Sequence, residues 1–259
     1  VFPGFFGYTP AGHLVTFSRG GSDITGAILA SAVEAETYEN WTDVDGIFVA
    51  DPKLIHHPMV IKEITYQELR ELAYAGFRVF HDEAMAPVVR TGTPVNIRNT
   101  NNPKAPGTMV LPTRQARRGA VIGVACSSGF MCIHVFKYLM NREKGFGRRL
   151  LQIIEEANCS FEHAPTGVDS MSVVLSQDQL DPEAAAAVRD RILRELEADS
   201  VEFERDLTMV SVVGLGMKHT LGIAARAAGA LAAAGVNIEL INQGLSEISM
   251  VFGVKQTDG

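Results

Sequence analysis

Apolar positions in residues 1–112 recur with two spacings, that of short strands and that of amphipathic helices. His13–Phe17 predicts a strand that ends in the polar segment Ser18–Asp23. We expect a helix next, because apolar and small residues then repeat every three or four positions. Strands and helices alternate further along, which is typical of an α/β unit. The inner face of the first helix is predicted to hold Ile24, Ala27, Ile28, Ser31 and Ala35.

One helix start in this unit carries a specific signal. Thr65 and Glu68 have the spacing of a capping box, in which each side chain bonds to the backbone of the other residue. Ile64 and Leu69 are placed to pack together beside it as a hydrophobic staple. The sequence therefore predicts that a helix begins here, with Leu69 and Leu72 on its apolar stripe.

The pattern changes after the basic segment Pro112–Gly119, which we interpret as a domain boundary. Beyond it, residues 120–205 follow the order β-α-β-β-α-β of a ferredoxin-like unit. The second helix of this unit has a favourable start, with Asp181 as its cap and Pro182 in its first turn. The expected elements are Phe130–Phe136, Gly145–Ala157, Ser160–Ala164, Met171–Leu175, the helix after Asp181, and Val201–Phe203.

Residues 206–259 begin to repeat the same order. A strand at Met209–Gly214, a helix at Leu221–Ala234 and strands at Asn237–Ile241 and Glu247–Val254 are predicted, without the last helix and strand of a full copy. The predicted domains are therefore 1–112, 120–205 and 206–259, the last of them incomplete. The first residue is not methionine, which either processing or a start inside a larger protein would explain. The repeat that is cut short leads us to expect a truncated C-terminus as well.

The composition argues against several classes of protein. Of the 259 residues, 46% are hydrophobic and 20% are charged, as in soluble globular proteins. The net charge of −7 argues against a nucleic-acid partner. No apolar run reaches the length of a membrane span, and the N-terminus is unlike a signal peptide. The three cysteines lack metal-type spacing and fit buried thiols in a reducing compartment, so a cytoplasmic protein without a membrane partner is expected.

The segment Ser18–Asp23 offers the strongest candidate chemistry. Its two glycines let backbone N–H groups approach an anion, and the following helix adds its positive N-terminal end. Arg19 has a planar fork that suits a carboxylate or phosphate, and Asp23 is available to orient a substrate group. On local physics alone, an ordinary strand-turn-helix corner with a capping serine or aspartate fits these residues equally well.

Several segments then carry related motifs in a fixed order: Arg19–Asp23, Trp41–Phe48, Asp51–Lys53, Glu71–His81, Pro94–Thr100, Val236–Gly244 and Ser246–Ser249. Together they resemble the aspartokinase branch of the amino-acid kinase family. The resemblance covers nearly the whole chain, and several collinear motifs are far more specific than any one of them. The variant Phe80–Ala84 is most similar to the lysine-sensitive class of Gram-positive bacteria.

The resemblance implies an α/β fold, the C-terminal part of an amino-acid-kinase αβα sandwich followed by ferredoxin-like βαββαβ ACT domains. The implied reaction transfers the γ-phosphate of ATP to the β-carboxylate of L-aspartate, with Mg²⁺ carried by ATP rather than held by side chains. Arg19 matches the residue that holds the α-carboxylate of aspartate. Asp23, with Ser22 beside it, matches a catalytic or substrate-orienting position.

The implied ATP contacts lie further along the chain. Thr42 and Asp43 match the nucleotide-contacting pair of the family, and Phe48 stands where relatives often carry a tyrosine beside the adenine. Lys53 and Arg78 keep positive charge at positions that are often arginine and lysine. Family members begin with a Lys-Phe-Gly-Gly-Ser segment whose lysine serves the transferred phosphate. This chain starts after that segment, so we expect the 259 residues alone to have little or no kinase activity.

ACT modules pair and bind amino acids at their interface. The glycine-rich turn Lys144–Gly147 offers N–H groups to an effector carboxylate, and nearby acidic residues can meet its amine. The expected effector is lysine, alone or with threonine, bound to a homodimer that forms through the ACT domains. Any one of these positions could also be an ordinary turn or strand residue. The candidate effector-binding residues are Met140, Glu143, Gly145, Phe146, Ser160, Phe161, Glu162 and Asp169.

Two alternatives to a feedback-regulated kinase stay open. One is a non-catalytic regulatory chain of ACT type that binds amino acids, although the nucleotide half at 1–112 argues against it. The other is the kinase portion of a fusion with homoserine dehydrogenase, which sequence beyond Gly259 would decide.

Overall fold

The computed structural model describes residues 1–17, 20–77, 82–115, 120–217, 220–244 and 248–258, with 82–84 described by their backbone alone. Its contacts divide the chain into two compact units, both discontinuous in sequence. The predicted domains 1–112, 120–205 and 206–259 are contiguous by contrast, and their bounds stay a prediction. The first unit consists of Val1–Ala125, Ser211–Ala227 and Gly244–Met250, and the second of Cys126–Val210, Ala228–Gln243 and Val251–Gly259.

The elements before residue 115 include both strands and helices, as an α/β unit requires, although they do not strictly alternate. They are β1 (Phe6–Tyr8), β2 (Leu14–Thr16), α1 (Gly21–Ala32), β3 (Tyr38–Thr42), β4 (Glu63–Thr65), α2 (Tyr66–Tyr74), α3 (Asp82–Thr91), β5 (Val95–Asn99) and β6 (Thr108–Leu111). Four of the strands form a mixed sheet in the order β3-β5-β6-β4, and β1 pairs with β2. Within the sheet, β5 runs parallel to β3 and antiparallel to β6.

The core of the first unit lies between this sheet and its helices. Helix α1 buries Ile24, Ala27 and Ala30, which follow helical spacing, in one core cluster with Val95 and other apolar residues of the unit. The predicted inner face was wrong at Ile28, which is 51% exposed. Ile24 and Ile28 are four positions apart, so helical spacing alone fits both of them. Only the packing decides which of the two side chains faces the core.

The predicted capping box at the start of α2 is confirmed. The hydroxyl of Thr65 accepts from the backbone N–H of Glu68 at 3.2 Å, and the Glu68 carboxylate accepts from the N–H of Thr65 at 3.0 Å. Glu68 is fully buried, and its carboxylate also accepts two bonds from Arg114, at 2.9 and 2.6 Å, and one from the N–H of Leu215 at 2.9 Å. The capping residue is therefore also one half of a buried ion pair.

Downstream of residue 120, the described strands belong to one five-stranded sheet in the order β10-β11-β9-β7-β8. The strands are β7 (Gly123–Phe136), β8 (Ser170–Ser176), β9 (Ser200–Val213), β10 (Leu240–Asn242) and β11 (Ser249–Lys255). The helices are α4 (Phe146–Glu156), α5 (Pro182–Glu195) and α6 (Ile223–Ala233). Short 3₁₀ turns lie at Met140–Arg142, Gln177–Gln179, Leu215–Met217 and Gln256–Asp258.

The order β7-α4-β8-α5-β9 agrees with the predicted ferredoxin-like pattern, with two differences. The predicted strand Ser160–Ala164 is reduced to an isolated bridge between His163 and Val174. The predicted strands at 201–203 and 209–214 are one continuous strand, β9, in which Asp206 takes a left-handed conformation with φ 55°.

Two helices cover the core of the second unit. Leu150, Ile153 and Ile154 of α4 and Val188 and Ile192 of α5 are buried at helical spacing. The start of α5 is as predicted, since the Asp181 carboxylate accepts from the N–H of Ala184 at 2.8 Å and Pro182 occupies the first helical position. Among the residues that the structure describes, no helix has the length and apolar character that crossing a bilayer requires.

Candidate functional site

Helix α1 begins at a glycine in the left-handed region. Gly20 has φ 66° and ψ 11°, which glycine adopts without the steric cost of a Cβ atom. Among the described residues no side chain caps the helix, so its first N–H groups can meet an external acceptor. Ser22 is exposed at this start, and Asp23 is the acidic residue of the first turn. Arg19, the predicted ligand of a carboxylate, lies outside the described residues.

The Asp23 carboxylate is held by strand β3. Its Oδ1 accepts from Nδ2 of Asn40 at 3.0 Å, and the same amide nitrogen donates to the Tyr38 hydroxyl at 3.1 Å. The Tyr38 hydroxyl lies 3.4 Å from the backbone oxygen of Asp23, to which it donates. Burial raises the pKa of Tyr38, the bond from Asn40 acts against this rise, and the charge of Asp23 adds to it. The hydroxyl therefore keeps its proton and its role as a donor.

Polar side chains gather where the parallel strands β3 and β5 end. Thr42 lies two residues beyond Asn40, on the same face and about 7 Å further along. Its hydroxyl donates to the Asp43 carboxylate at 3.1 Å. Asp45 accepts from Nδ2 of Asn99 at 2.7 Å, which ties the segment after β3 to the end of β5. The carboxyl ends of parallel strands are a common ligand-binding edge in α/β sheets.

Phe48 and Lys53 lie on the segment that follows. Phe48 is half-buried and forms a bridge with Val60. Lys53 is exposed on a turn in which Asp51 accepts its backbone N–H at 2.8 Å. Among the described residues, neither side chain forms a hydrogen bond or ion pair with Asp23 or Thr42, and Arg78 lies outside that part of the chain.

In the second unit, helix α4 also begins after a left-handed glycine. Gly145 has φ 79° and ψ 11°, and no side chain caps the helix. Phe146, at the first helical position, is buried, and Met140 in the preceding 3₁₀ turn is buried as well. The N–H of Phe146 lies 3.5 Å from the backbone oxygen of Glu143, so the start offers the N–H groups of the next residues beside apolar side chains.

Charged side chains surround this second helix start. Glu143 pairs with Lys137 at 2.7 Å and with Arg149. The bond from Lys137 holds the pKa of the Glu143 carboxyl below its ordinary value, burial opposes this, and Arg149 adds to the lowering. The Asp169 carboxylate accepts from the N–H of Leu139 at 3.0 Å. Met140, Glu143, Gly145, Phe146 and Asp169 thus share one end of the sheet.

The other predicted effector residues lie apart from this group. Ser160 donates from its backbone to Gln179 at 2.7 Å, Phe161 is 46% exposed, and Glu162 donates from its backbone to Val174 at 2.8 Å. Burial raises the pKa of the Glu162 carboxyl. Val174 pairs with Cys132 and Ser170 with Phe136, so the two groups are separated by four residues, about 13 Å, along β7 and β8.

Comparison with known proteins shows which family the chain resembles. The sequence profile of the amino acid kinase family matches residues 1–99, and that of the ACT domain matches residues 210–259. Aspartokinase 3 of Bacillus subtilis is 53% identical over 258 residues, which include 100% of this chain and 57% of that protein. The chain belongs to the aspartokinase family.

Solved aspartokinase structures share the fold. Aspartate kinase of Clostridium acetobutylicum superposes with a TM-score of 0.92 at 44% identity and covers 99% of this chain. Aspartokinase III of E. coli, solved with aspartate and ADP and also with lysine and aspartate, gives TM-scores of 0.79 and 0.75 at 28% identity over 98% of the chain. The chain spans 59% of the Clostridium protein and 57% and 56% of the two E. coli structures.

Within this aspartokinase fold, the roles of individual residues stay predictions. The sequence reasoning missed Tyr38 and Asn40, which hold Asp23, and Asn99, which holds Asp45. A signal was available for the first two, because Tyr38, Asn40 and Thr42 alternate along one strand and so share a face. Polar residues on the face that a helix covers need partners, and their spacing could have pointed to Asp23.

Proposed function

We propose that the protein to which this chain belongs is an aspartate kinase, which phosphorylates the β-carboxylate of L-aspartate with ATP and gives 4-phospho-L-aspartate. This is the first step of lysine, threonine and methionine biosynthesis, and we place it in the cytoplasm. Two observations together carry the proposal. The start of α1 lies next to Asp23, which Asn40 anchors, and the entire chain is 53% identical to an aspartokinase. The E. coli relative solved with aspartate and ADP supports the choice of substrates.

In this proposal the helix start binds an anionic group and Asp23 orients the substrate. The N–H groups at the start of α1 face a carboxylate or phosphate, aided by Arg19 and Ser22. Thr42 and Asp43 contact the nucleotide, with Phe48 against the base and Lys53 and Arg78 near the phosphates. The acceptor carboxylate is already ionised at neutral pH, so positioning and cations contribute more than a general base.

Mg²⁺ is proposed to enter with ATP, because it commonly takes phosphate oxygens and only one or two carboxylates as ligands. The carboxylates at the end of β3 fit this role poorly as a cage, since Asp45 already accepts from Asn99 and Asn102. Within the described ranges, no group of three or more histidine, cysteine or acidic residues is placed to hold a metal ion.

The kinase proposal is tested on the intact gene product. Release of ADP is followed with ATP and L-aspartate, and the acyl phosphate is trapped with hydroxylamine. We expect turnover with L-aspartate and at least a hundredfold less with L-glutamate, whose extra methylene displaces the reacting carboxylate. No aspartate-dependent ADP release from the intact protein would overturn the proposal. The 259 residues assayed alone are expected to show little or no turnover.

The second unit is proposed to bind lysine, alone or with threonine, at the interface of a homodimer. The separation of about 13 Å along the strands between the two groups of candidate residues supports a dimer, because one amino acid is too short to reach both groups within one chain. A second copy could bring the Ser160–Glu162 segment against the Gly145 turn. The E. coli relative solved with lysine and aspartate supports the effector.

A charge change at Asp169 tests the effector site. Asp169→Asn keeps an oxygen for the Leu139 N–H and removes only the charge that would meet an ammonium group. Calorimetry on the intact protein is expected to show lysine affinity reduced about tenfold or more, the effect of 1.4 kcal/mol. Asp199→Asn is the matched control, because Asp199 accepts the N–H of Tyr138 at 2.7 Å in the same manner. Equal affinity in the two variants, or no heat with lysine or threonine, would contradict the proposal.

A further inference from the structure

One side chain that has no role in the proposed chemistry controls the orientation of the Asp23 carboxylate. Asn40 is 7% exposed, and its Nδ2 lies 3.0 Å from Oδ1 of Asp23. No hydrogen bond to Oδ2 of Asp23 is found within the described part of the chain, so this second oxygen is available to a donor of the bound substrate. The amide thus fixes one oxygen and leaves the other for the ligand.

The amide of Asn40 is itself fixed. It donates to the Tyr38 hydroxyl at 3.1 Å, and that hydroxyl donates to the backbone oxygen of Asp23 at 3.4 Å. The three bonds close a ring between strand β3 and the first turn of α1. Both elements are therefore held at the residue that is proposed to orient the substrate.

A glycine in α1 leaves room for this ring. Gly26 lies one helical turn after Asp23, and a Cβ atom there would overlap the Tyr38 hydroxyl. Glycine inside a helix costs about 1 kcal/mol relative to alanine. Helix α1 has glycine at position 26, where an alanine would displace the Tyr38 hydroxyl from the network.

We propose that Asn40 is a positioning residue for the reaction, which acts by holding Asp23 so that its second oxygen meets the aspartate substrate. This inference rests on the proposed kinase function. A neutral amide donor suits the task, because it holds one carboxylate oxygen without competing with a substrate donor as a cation would. Packing alone would require the size of Asn40 and not its N–H groups.

Steady-state kinetics of the intact protein separates these two roles. Asn40→Leu removes the donor, and kcat/KM for aspartate is expected to fall about tenfold, the equivalent of one hydrogen bond to a charged group. The KM for ATP is expected to change less than twofold. Asn40→Asp keeps the size and replaces the donor with a second carboxylate, so the loss for aspartate is expected to exceed that of Asn40→Leu.

Asn237→Leu is the matched control. Its Nδ2 donates to Glu239 at 2.9 Å at an exposed site in another part of the chain, and its kinetics are expected to equal those of the unchanged protein. If Asn40→Leu does not fold, Gly26→Ala displaces the Tyr38 hydroxyl instead, and a loss of about threefold, confined to aspartate, is expected.

The outcomes are distinct from those of the kinase proposal. If the intact protein without substitutions shows no aspartate-dependent turnover, the proposed kinase function is refuted. If the unchanged protein is active, three results would overturn the positioning role and leave the function intact. These are unchanged kinetics in Asn40→Leu, an equal change in the kinetics of ATP and aspartate in that variant, and full activity of Asn40→Asp. The same criteria apply to Gly26→Ala.

Discussion

Each compact unit holds a glutamate between cationic or N–H donors, and the two glutamates differ in burial. Glu68 in the first unit is fully buried and accepts bonds from Arg114, Leu215 and Thr65. Glu143 in the second unit has 28% of its side chain exposed and pairs with Lys137 and Arg149. Both carboxyls have a lowered pKa, although burial acts to raise the pKa of Glu68 before its hydrogen bonds outweigh it.

The difference shows which carboxylate can take part in binding. Glu68 cannot exchange partners, because any group that left it would strand a charge in a dry interior. Glu143 can release a cation to water at little cost, since exposed ion pairs are weak. A zwitterionic ligand brings its own carboxylate and ammonium group and can exchange with such a pair. Glu68 is therefore a structural group, whereas Glu143 suits a reversible effector site.

The largest expected effect is the loss of the buried pair. Arg114→Leu should lower the free energy of unfolding of the first unit by about 3–5 kcal/mol, because Glu68 stays buried without its cation. Urea unfolding followed by the fluorescence of Trp41, the single tryptophan of the chain, reports on this unit.

Replacing both partners sharpens this result. Glu68→Met combined with Arg114→Leu should recover part of the loss, because no unpaired charge remains. The recovery should be incomplete, since the N–H groups of Thr65 and Leu215 lose their acceptor. If Arg114→Leu alone unfolds like the unchanged protein, the buried pair does not stabilise the first unit.

The buried pair also predicts a pH dependence. The folded-state pKa of Glu68 lies below its ordinary value, about 4.3, so its contribution is complete above that pH and is lost as the pH falls through the folded pKa. Urea unfolding of the unchanged protein and of Glu68→Gln at pH 7, 5, 4 and 3 measures it. The difference between the two should be constant from pH 7 to 5 and shrink below pH 4, and a constant difference at all four values would count against it.

An intermediate effect is expected at the start of α4. Gly145→Ala should destabilise the second unit by about 1–2 kcal/mol, because φ is 79° and a Cβ atom there would meet no other atom, so only the backbone is strained. Gly147→Ala in the same helix is the control and should be neutral or stabilising by up to about 1 kcal/mol. Hydrogen exchange of the α4 amides measures both, and equal effects would refute the left-handed start.

The smallest effect is expected at the exposed glutamate. Glu143→Gln should change the stability of the second unit by less than about 1 kcal/mol, and the change should shrink further in 0.5 M salt. Hydrogen exchange of the α4 amides at two salt concentrations checks this. If Glu143→Gln lowers the free energy of unfolding as much as Arg114→Leu does, Glu143 is as important for stability as Glu68.

Local signals in the sequence predicted much of the fold. The capping box of α2 and the Asp181–Pro182 start of α5 are as predicted, because their partners lie within four residues along the chain. The α/β order of the first unit also follows from its short apolar repeats. The merging of two predicted strands into β9 and the exposure of Ile28 did not follow, since both depend on neighbours distant in sequence.

The sequence by itself determined where α2 and α5 begin, which corner has glycines for an anion, and which family the chain resembles. The tertiary structure alone decided the partners of the charged groups. Arg114 and Leu215 are 46 and 147 residues from Glu68, and Asn40 is 17 residues from Asp23. A capping bond is fixed by helical geometry within one turn, whereas a buried carboxylate takes whichever donors the folded chain brings to it.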